Sequence, residues 1–298
     1  MIGRIRYPML ICFGYLFFSS IAIAETSIQV SYQHSVQDSA YDPFGQIIPI
    51  IEDYSNFDCP PAGRDTLFSA VSSELDLVNI TYVKRSRKGF GFFLSLTALK
   101  LKSYTLADIS GLSPSDQTAV TAELAGLGCR IANAREITTL AETSAGLIKV
   151  FSLGSFELET ALAISKPLSQ LQPELAVRGS DYFLDISVSP SIGSQLRLSL
   201  PVFYRFSLPA ESIDRTFGVK VSYQAAINLE VGLTKRLIGI KREVYDFMGD
   251  SISQSDSING QASIYQDKSL FSVGFTKTLQ GQNALVENAL QVSIARFF

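Results

Sequence analysis

The 298-residue chain contains no tryptophan, one histidine, three cysteines and three methionines, and these shortages exclude several classes of protein. Zinc sites, haem sites and iron–sulfur clusters draw their ligands from histidine and cysteine, so no metal ion or other cofactor is expected. Charged residues make up only 18% of the chain, with 25 basic side chains against 28 acidic ones. That balance lacks the basic surplus of a nucleic-acid-binding protein, so nucleic acid is not an expected partner.

After residue 24, the chain also lacks any apolar run near the roughly 18 residues that a transmembrane helix needs. Before that point, Arg4 and Arg6 precede an apolar stretch, and Ala22-Ile23-Ala24 ends the segment. This arrangement is typical of a cleaved secretory signal peptide; the alternative is a single membrane-anchoring helix, for which the apolar core is short. We therefore expect a signal peptide at 1–24 and one exported domain at 25–298.

Cysteine is scarce enough to permit a single disulfide. Cys12 lies in the predicted signal peptide, which leaves Cys59 and Cys129 in the mature chain. Exported proteins fold in an oxidising compartment, so we predict a Cys59–Cys129 disulfide. The alternative is two independent free thiols. Neither cysteine is near the histidine in sequence, which disfavours nucleophilic catalysis.

Beyond residue 25, apolar and polar residues alternate with a period of two, which is the pattern of strands with two unlike faces. The segment 227–234, Ile-Asn-Leu-Glu-Val-Gly-Leu-Thr, shows this alternation clearly. Runs of this kind predict about twelve strands: 26–36, 74–84, 89–100, 146–154, 156–165, 181–189, 195–208, 215–223, 227–237, 258–265, 270–279 and 288–298.

The predicted connections between these strands are alternately short and long. The short ones are 85–88, 154–155, 190–194, 224–226 and 266–269. The long ones are 37–73, 101–145, 166–180, 238–257 and 280–287, and only 209–214 among the alternate connections is brief. Short turns on one rim and long loops on the other are typical of a transmembrane antiparallel up-and-down β-barrel, which an even number of strands closes. A β-sandwich does not explain this segregation, and a β-helix requires a repeat that the sequence lacks.

The last nine residues, Leu-Gln-Val-Ser-Ile-Ala-Arg-Phe-Phe, alternate in the same way and end in the aromatic Phe298. In this the chain resembles Gram-negative outer-membrane β-barrel proteins, although Arg296 stands where that family usually has an apolar residue. The resemblance implies that Phe298 is the signal read by the barrel assembly machinery, and that the protein lies in the cell outer membrane among its lipids. The chain also shows a fainter likeness to uncharacterised transporter-type barrels associated with aromatic-compound degradation.

In such a barrel, the polar face of each strand surrounds the lumen and the apolar face meets lipid. Eight charged residues fall on the polar face and are candidates for lining the lumen: Glu157, Glu159, Asp185, Arg197, Arg205, Lys220, Glu230 and Arg236. Opposing acidic and basic walls would orient a dipolar or zwitterionic solute. General acid–base catalysis by Glu157 and Glu159 is the alternative, but these two are merely two positions apart on one face. We assign no catalytic or metal-binding residue.

Turn length determines which of these residues face each other across neighbouring strands. A three-residue turn after Tyr223 would place Lys220 directly opposite Glu230, as an ion pair in the lumen. The same counting across the turn at 190–194 places Asp185 opposite Ser199. It also makes Asp185 a diagonal neighbour of Arg197.

The segment 101–145 is a long connection with helical patterns of its own. Ser113-Pro114-Ser115-Asp116 provides an N-cap, a proline at the first helical position and an acidic residue at the third. We predict a helix over 117–127 and a second helical run over 131–142. A long loop of this kind is usually functional, and it would cap or narrow the barrel mouth. The alternative is a surface decoration without effect on transport.

The single histidine, His34, shares the outward parity of Ile28, Val30 and Tyr32 and is predicted to face the outer membrane interface. A known outer-membrane phospholipase places its catalytic histidine and serine on the outer face of its barrel. Its motif has a serine two positions from the histidine, whereas this chain has Val36 there. We therefore interpret His34 as a polar interfacial residue.

Taken together, these patterns predict a non-enzymatic outer-membrane barrel that forms a passive or substrate-selective channel. Its partner is a small-molecule solute whose identity the sequence does not give. The alternatives are an outer-membrane lipid-modifying enzyme and a surface adhesin or structural barrel without transport activity.

Overall fold

The computed structural model describes residues 26–41, 44–49, 51–53, 68–86, 88–107, 113–126, 132–154, 156–168, 181–192, 195–207, 212–240 and 252–298. These residues form an all-β structure with one helix, α1 (Pro114–Gly126). Across these ranges, no helix is long and apolar enough to span a membrane. The predicted signal peptide at 1–24, Cys59 and Cys129 lie outside the described residues.

Twelve long strands follow one another around a barrel, and four short ones lie beside it. The long strands are β1 (Thr26–Gln37), β5 (Phe68–Arg85), β6 (Phe90–Ala107), β7 (Ala132–Leu153), β8 (Phe156–Pro167), β9 (Asp181–Ile192), β10 (Leu196–Ser207), β11 (Ser212–Tyr223), β12 (Asn228–Ile240), β13 (Ile252–Gln266), β14 (Ser269–Gln282) and β16 (Asn288–Phe297). The short strands are β2 (Ser39–Tyr41), β3 (Ile47–Pro49), β4 (Ile51–Asp53) and β15 (Ala284–Leu285).

The sheet closes on itself because β1 pairs on both of its edges. Val30 lies opposite Ile80 of β5 on one side and opposite Ile294 of β16 on the other. The other long strands pair antiparallel with their consecutive long neighbours, and the short strand β4 pairs with the start of β5. The predicted twelve-stranded up-and-down barrel is therefore confirmed, with short turns on one rim and, apart from the four-residue connection between β10 and β11, longer connections on the other.

Exposure alternates along the strands and separates two barrel surfaces. On β12, Leu229, Val231 and Leu233 are between 50% and 57% exposed, and they belong to an apolar outer face. Their neighbours in the chain point inward, where polar side chains such as Ser35 and Thr97 are almost fully buried. Polar groups are thus gathered inside the barrel, whereas the outer apolar groups require a hydrophobic solvent, as in a transmembrane barrel.

Strand β7 overturns one expectation from the sequence. The second helical run predicted over 131–142 is wrong, because residues 132–153 form a single strand that pairs along the whole length of β6. The connection predicted at 101–145 is correspondingly shorter, since β6 continues to Ala107 and β7 begins at Ala132. A β-bulge opposite Thr97 and Ala98 leaves Ala141 without a pairing partner in this ladder. The bulge brings Glu142 to the inner face, where it is 2% exposed.

Helix α1 begins where its sequence signals predicted. Pro114 is the first helical residue, and the Ser113 hydroxyl donates to the Asp116 carboxylate at 2.7 Å. The Asp116 amide donates back to the Ser113 hydroxyl at 3.3 Å, which completes a reciprocal cap. The first of the two predicted helices is confirmed.

A small sheet of β15, β2 and β3 lies at the long-loop rim. Tyr41 pairs with Ala284, and the amide of Val286 donates to the Ser39 carbonyl at 3.0 Å. Because β2 follows β1 directly and β15 precedes β16, this sheet rises from the point at which the barrel closes. It therefore borders the mouth of the barrel interior.

Candidate functional site

The barrel interior contains two adjoining cavities. The larger, of about 270 Å³, lies toward the long loops and is bordered by Ala284 and Leu285 of the small sheet. The smaller, of about 70 Å³, lies toward the short turns. Glu230 and Gln261 line both cavities and therefore mark the level at which they meet.

The inner wall is chemically asymmetric. On β5 to β7, apolar side chains pack together in two buried clusters, one around Leu75, Leu77 and Leu99 and the other around Val83 and Phe93. The facing strands supply hydroxyl and amide groups instead. Those that line the larger cavity on β13 and β14 are Ser253, Ser255, Ser257, Asn259, Gln261, Thr276 and Thr278. A polar permeating molecule would find most of its hydrogen-bonding partners on this second side.

All eight charged residues predicted to line the lumen lie on the inner face, and seven form ion pairs. Two of these pairs lie near the short turns: Arg197 contacts Glu157 at 2.8 Å and Arg85 contacts Glu159 at 2.9 Å. Each is between 16% and 20% exposed, so the pairs are largely shielded from solvent. They fix charge in the wall of the smaller cavity.

The other ion pairs belong to the larger cavity. Arg236 donates through Nε to both carboxylate oxygens of Asp214, at 3.0 and 3.1 Å. Arg205 forms an ion pair with Asp181 and lies 3.7 Å from the Glu142 carboxylate. Its guanidinium also lies over the Phe183 ring, 5.3 Å from the centroid. These contacts hold both arginine side chains against the wall.

Lys220 and Glu230 form the predicted contact through a different register. The lysine Nζ donates to the Glu230 carboxylate at 2.8 Å. However, the residue directly opposite Lys220 is Gly232, and Glu230 lies opposite Ser222. The ion pair is therefore diagonal, because Tyr223 pairs with Leu229 and five residues separate the two, against the three of the turn assumed from the sequence. Gly232 makes the diagonal possible, since a Cβ there would lie 2.8 Å from the Lys220 side chain.

The predicted partners of Asp185 are wrong. Asp185 lies opposite Phe203, not Ser199, and Ser199 lies near Ser189 instead, with their hydroxyl oxygens 3.0 Å apart. The ladder between β9 and β10 is offset by four residues from the one counted across a five-residue turn. Arg197 is accordingly carried away from Asp185 and pairs with Glu157.

Several charged residues of this interior were not predicted from the sequence. Arg85 and Asp181 share the inward parity of their strands, so the alternation rule applied to the strand ends would have found them. Asp214 lies beyond the predicted start of its strand. Glu142 had no usable signal, because it fell in the segment predicted as helical and reaches the interior only through the bulge at Ala141.

His34 lies on the outer face, as its parity predicted, in a polar group near the long-loop rim. Its Nδ1 is 2.8 Å from the Asp76 carboxylate, and the Tyr32 hydroxyl donates to the same oxygen at 2.7 Å. In the described strands that flank it, the nearest outward positions hold Tyr32, Val36, Leu290 and Asp76, none of which is serine, threonine or cysteine. This arrangement joins a base to an acid but presents no nucleophile to them.

Phe298 closes the seam at the short-turn rim. Its amide donates to the Thr26 carbonyl at 2.9 Å, next to the pair formed by Ser27 and Phe297. The Phe298 side chain is 66% exposed. Arg296, which departs from the pattern of the resembling family, points outward at this rim and donates to the Asp267 carbonyl at 2.6 Å.

Comparison with solved structures identifies the same fold in other proteins. An outer-membrane channel from Pseudomonas putida F1 matches with a TM-score of 0.60 and 13% identity, over 94% of this chain and 97% of that one. The KdgM porin matches with a TM-score of 0.43 and 11% identity, over 91% and 99%. The NanC porin matches with a TM-score of 0.45 and 7% identity, over 90% and 98%.

No protein-family model and no curated protein sequence matches the chain. The likeness to the Pseudomonas putida F1 channel rests on the arrangement of strands rather than on sequence, since the identity is 13%. The chain therefore has the fold of an outer-membrane β-barrel protein.

Proposed function

We propose that the protein is an outer-membrane channel through which small polar solutes diffuse. The observation that carries this proposal is the pair of cavities that meet at Glu230 and Gln261 inside a closed barrel. Their walls hold fixed charges and hydroxyl groups, which can replace part of the hydration shell of a polar molecule. The apolar outer face supports a location in the outer membrane, reached through the signal peptide at 1–24 and assembly directed by Phe298.

The ion pairs favour solutes that carry separated charges. Acidic and basic side chains of Asp214, Arg236, Lys220 and Glu230 all border the larger cavity. A dipolar or zwitterionic molecule can align with such opposed charges, whereas an apolar molecule pays the cost of displacing water from them. Cavities of about 70 and 270 Å³ suit small molecules.

Planar lipid bilayers test this function directly. Purified, folded protein added to one side of the bilayer is expected to produce discrete conductance steps in KCl. Protein unfolded by boiling in detergent is the control and is expected to produce none. Folded protein that inserts without conducting would contradict the channel and favour a structural barrel or an adhesin.

A further inference from the structure

Asp185 differs from the other acidic residues of the described barrel interior. It is 9% exposed, its Oδ1 is buried without a hydrogen-bond partner, and it belongs to none of the ion pairs in the described residues. By contrast, Glu157, Glu159, Asp181, Asp214 and Glu230 each contact an arginine or lysine side chain. A buried carboxylate without a partner is costly, and a cationic ligand would supply the missing partner.

The surroundings of Asp185 suit the positive end of a small organic molecule. Phe203 lies opposite it on β10 and lines the same cavity, which places an aromatic ring beside the carboxylate. Ala161 lies opposite it on β8 and leaves room on the other side. Ser187, two positions along the same inner face, also has a buried hydroxyl oxygen without a hydrogen-bond partner. A carboxylate, a hydroxyl group and an aromatic ring are groups that together bind an ammonium ion.

The basic side chains near Asp185 are held by other acids. Lys220 lines the same cavity as Asp185, but its Nζ lies 2.8 Å from the Glu230 carboxylate. Arg205 forms its ion pair with Asp181. The described side chains around the larger cavity include four carboxylates, of Asp185, Asp214, Glu230 and Glu287, against three basic groups, of Arg205, Lys220 and Arg236. The excess charge is therefore negative.

Asp185 also stands at the level where the two cavities meet. Asp185 lines the larger cavity and Ser187 lines the smaller one, so this stretch of β9 spans the boundary between them. We propose that Asp185, with Phe203 and Ser187, binds the ammonium group of small organic solutes as they cross this boundary. This inference rests on the proposed channel function and specifies the class of solute.

Ion selectivity in planar bilayers tests the role of Asp185. In a KCl gradient, the wild-type channel is expected to prefer cations, and Asp185→Asn is expected to lower the cation-to-anion permeability ratio about two- to fivefold. Asp185→Glu retains the charge and is expected to retain the preference. Asp256→Asn is the matched control, because Asp256 lies on the outer face beside Lys235 and its removal should leave the reversal potential unchanged.

Binding of the ammonium group is tested with ethylammonium chloride as the probe. The wild-type current is expected to saturate at a lower concentration of ethylammonium than of potassium, and Asp185→Asn is expected to abolish that difference. Migration on unheated gels shows whether the Asp185→Asn variant is folded. If it is not, the comparison of ethylammonium and potassium in the wild type alone tests whether the channel binds the ammonium group. Equal saturation of the two cations in the wild type, or an unchanged reversal potential in folded Asp185→Asn, would overturn the inference while leaving the channel intact. A wild-type protein without conductance would overturn the proposed function itself.

Discussion

At the scale of single residues, the barrel interior balances most of its charges locally. Lys220 and Glu230 are 14% and 26% exposed, so each would be a poorly hydrated charge without the other. Pairing neutralises both while leaving them in contact with the cavity. The wall can therefore be charged and stable at the same time.

Substitutions at this pair are predicted to shift ion preference in opposite directions. Lys220→Gln leaves the Glu230 carboxylate uncompensated and should move the reversal potential toward cation selectivity, whereas Glu230→Gln should move it toward anions. Charge reversal in Lys220→Glu should have a larger effect than Lys220→Gln.

The double variant Lys220→Gln/Glu230→Gln is the control, and its reversal potential should be close to that of the wild type. The free energies of unfolding of the wild type, the two single variants and the double variant form a double-mutant cycle. This cycle should give a coupling of about 0.2–1 kcal/mol between Lys220 and Glu230. Shifts of the same sign in both single variants would show that the pair does not face the conducting path.

Residue-level features were predictable from sequence only in part. Alternation assigned all eight candidate residues to the correct face, because the period of two is a property of any extended strand. Cross-strand partners were harder to predict from the sequence, since the register depends on the length and shape of each turn. Asp185 is the clearest case, because a four-residue offset separated it from Ser199 and placed it beside Phe203.

At the scale of elements, the turn between β5 and β6 is tightly constrained at Gly89. Gly89 has a positive φ of 73°, donates to the Ser86 carbonyl at 2.9 Å and accepts from the Val150 amide at 2.7 Å. A Cβ at this position would overlap the Val150 carbonyl group. The turn thus links β5, β6 and β7 through one glycine.

Gly89→Ala is predicted to destabilise the barrel more than Gly154→Ala does. Both glycines have a positive φ, which costs an alanine about 1 kcal/mol, but a Cβ at Gly154 would meet no atom within 4 Å. Gly89→Ala carries the additional overlap with β7. The temperature at which the folded band disappears from unheated gels should therefore fall further for Gly89→Ala. Equal temperatures for the two variants would show that the close approach to Val150 is unimportant.

Elements differed in how well their sequences specified them. The reciprocal cap at Ser113 and Asp116 is local, so helix α1 could be predicted from its own residues. Residues 132–142 carry mixed signals, and their strand conformation is decided by pairing with the extended end of β6. Such long-range pairing overrides local propensity and is invisible in a single segment.

At the scale of the whole molecule, closure of the barrel depends on the pairing of its first and last strands. The register from Ser27 and Phe297 to Val36 and Asn288 is continuous. It places the start of β1 and the end of β16 side by side at the short-turn rim. The even strand count and the segregation of turns were predictable because each strand and each turn has its own local sequence pattern. The predicted Cys59–Cys129 disulfide remains a prediction, to be tested by alkylation and intact-mass measurement of unreduced protein.

Deletion of Phe298 is predicted to impair assembly in cells more than folding in detergent. The Phe298 side chain is 66% exposed, so it contributes little packing to the finished barrel. Its importance should lie in recognition by the assembly machinery. The amount of folded, heat-modifiable protein in outer-membrane fractions should fall, whereas refolding of the purified variant in detergent should proceed as for the wild type. Equal losses in both settings would instead assign Phe298 a structural role.

For the whole molecule, the central proposal is that solutes pass through the two cavities inside the barrel. Single-channel conductance of Gln261→Trp and Ala262→Trp tests this claim most directly. Gln261 lines both cavities, whereas its neighbour Ala262 lies on the opposite, outer face of β13, where it pairs with Leu229 and Val273. If solutes pass through these cavities, Gln261→Trp should markedly lower the conductance, and Ala262→Trp should retain the wild-type conductance. Unchanged conductance in a folded, inserted Gln261→Trp variant would contradict this proposal.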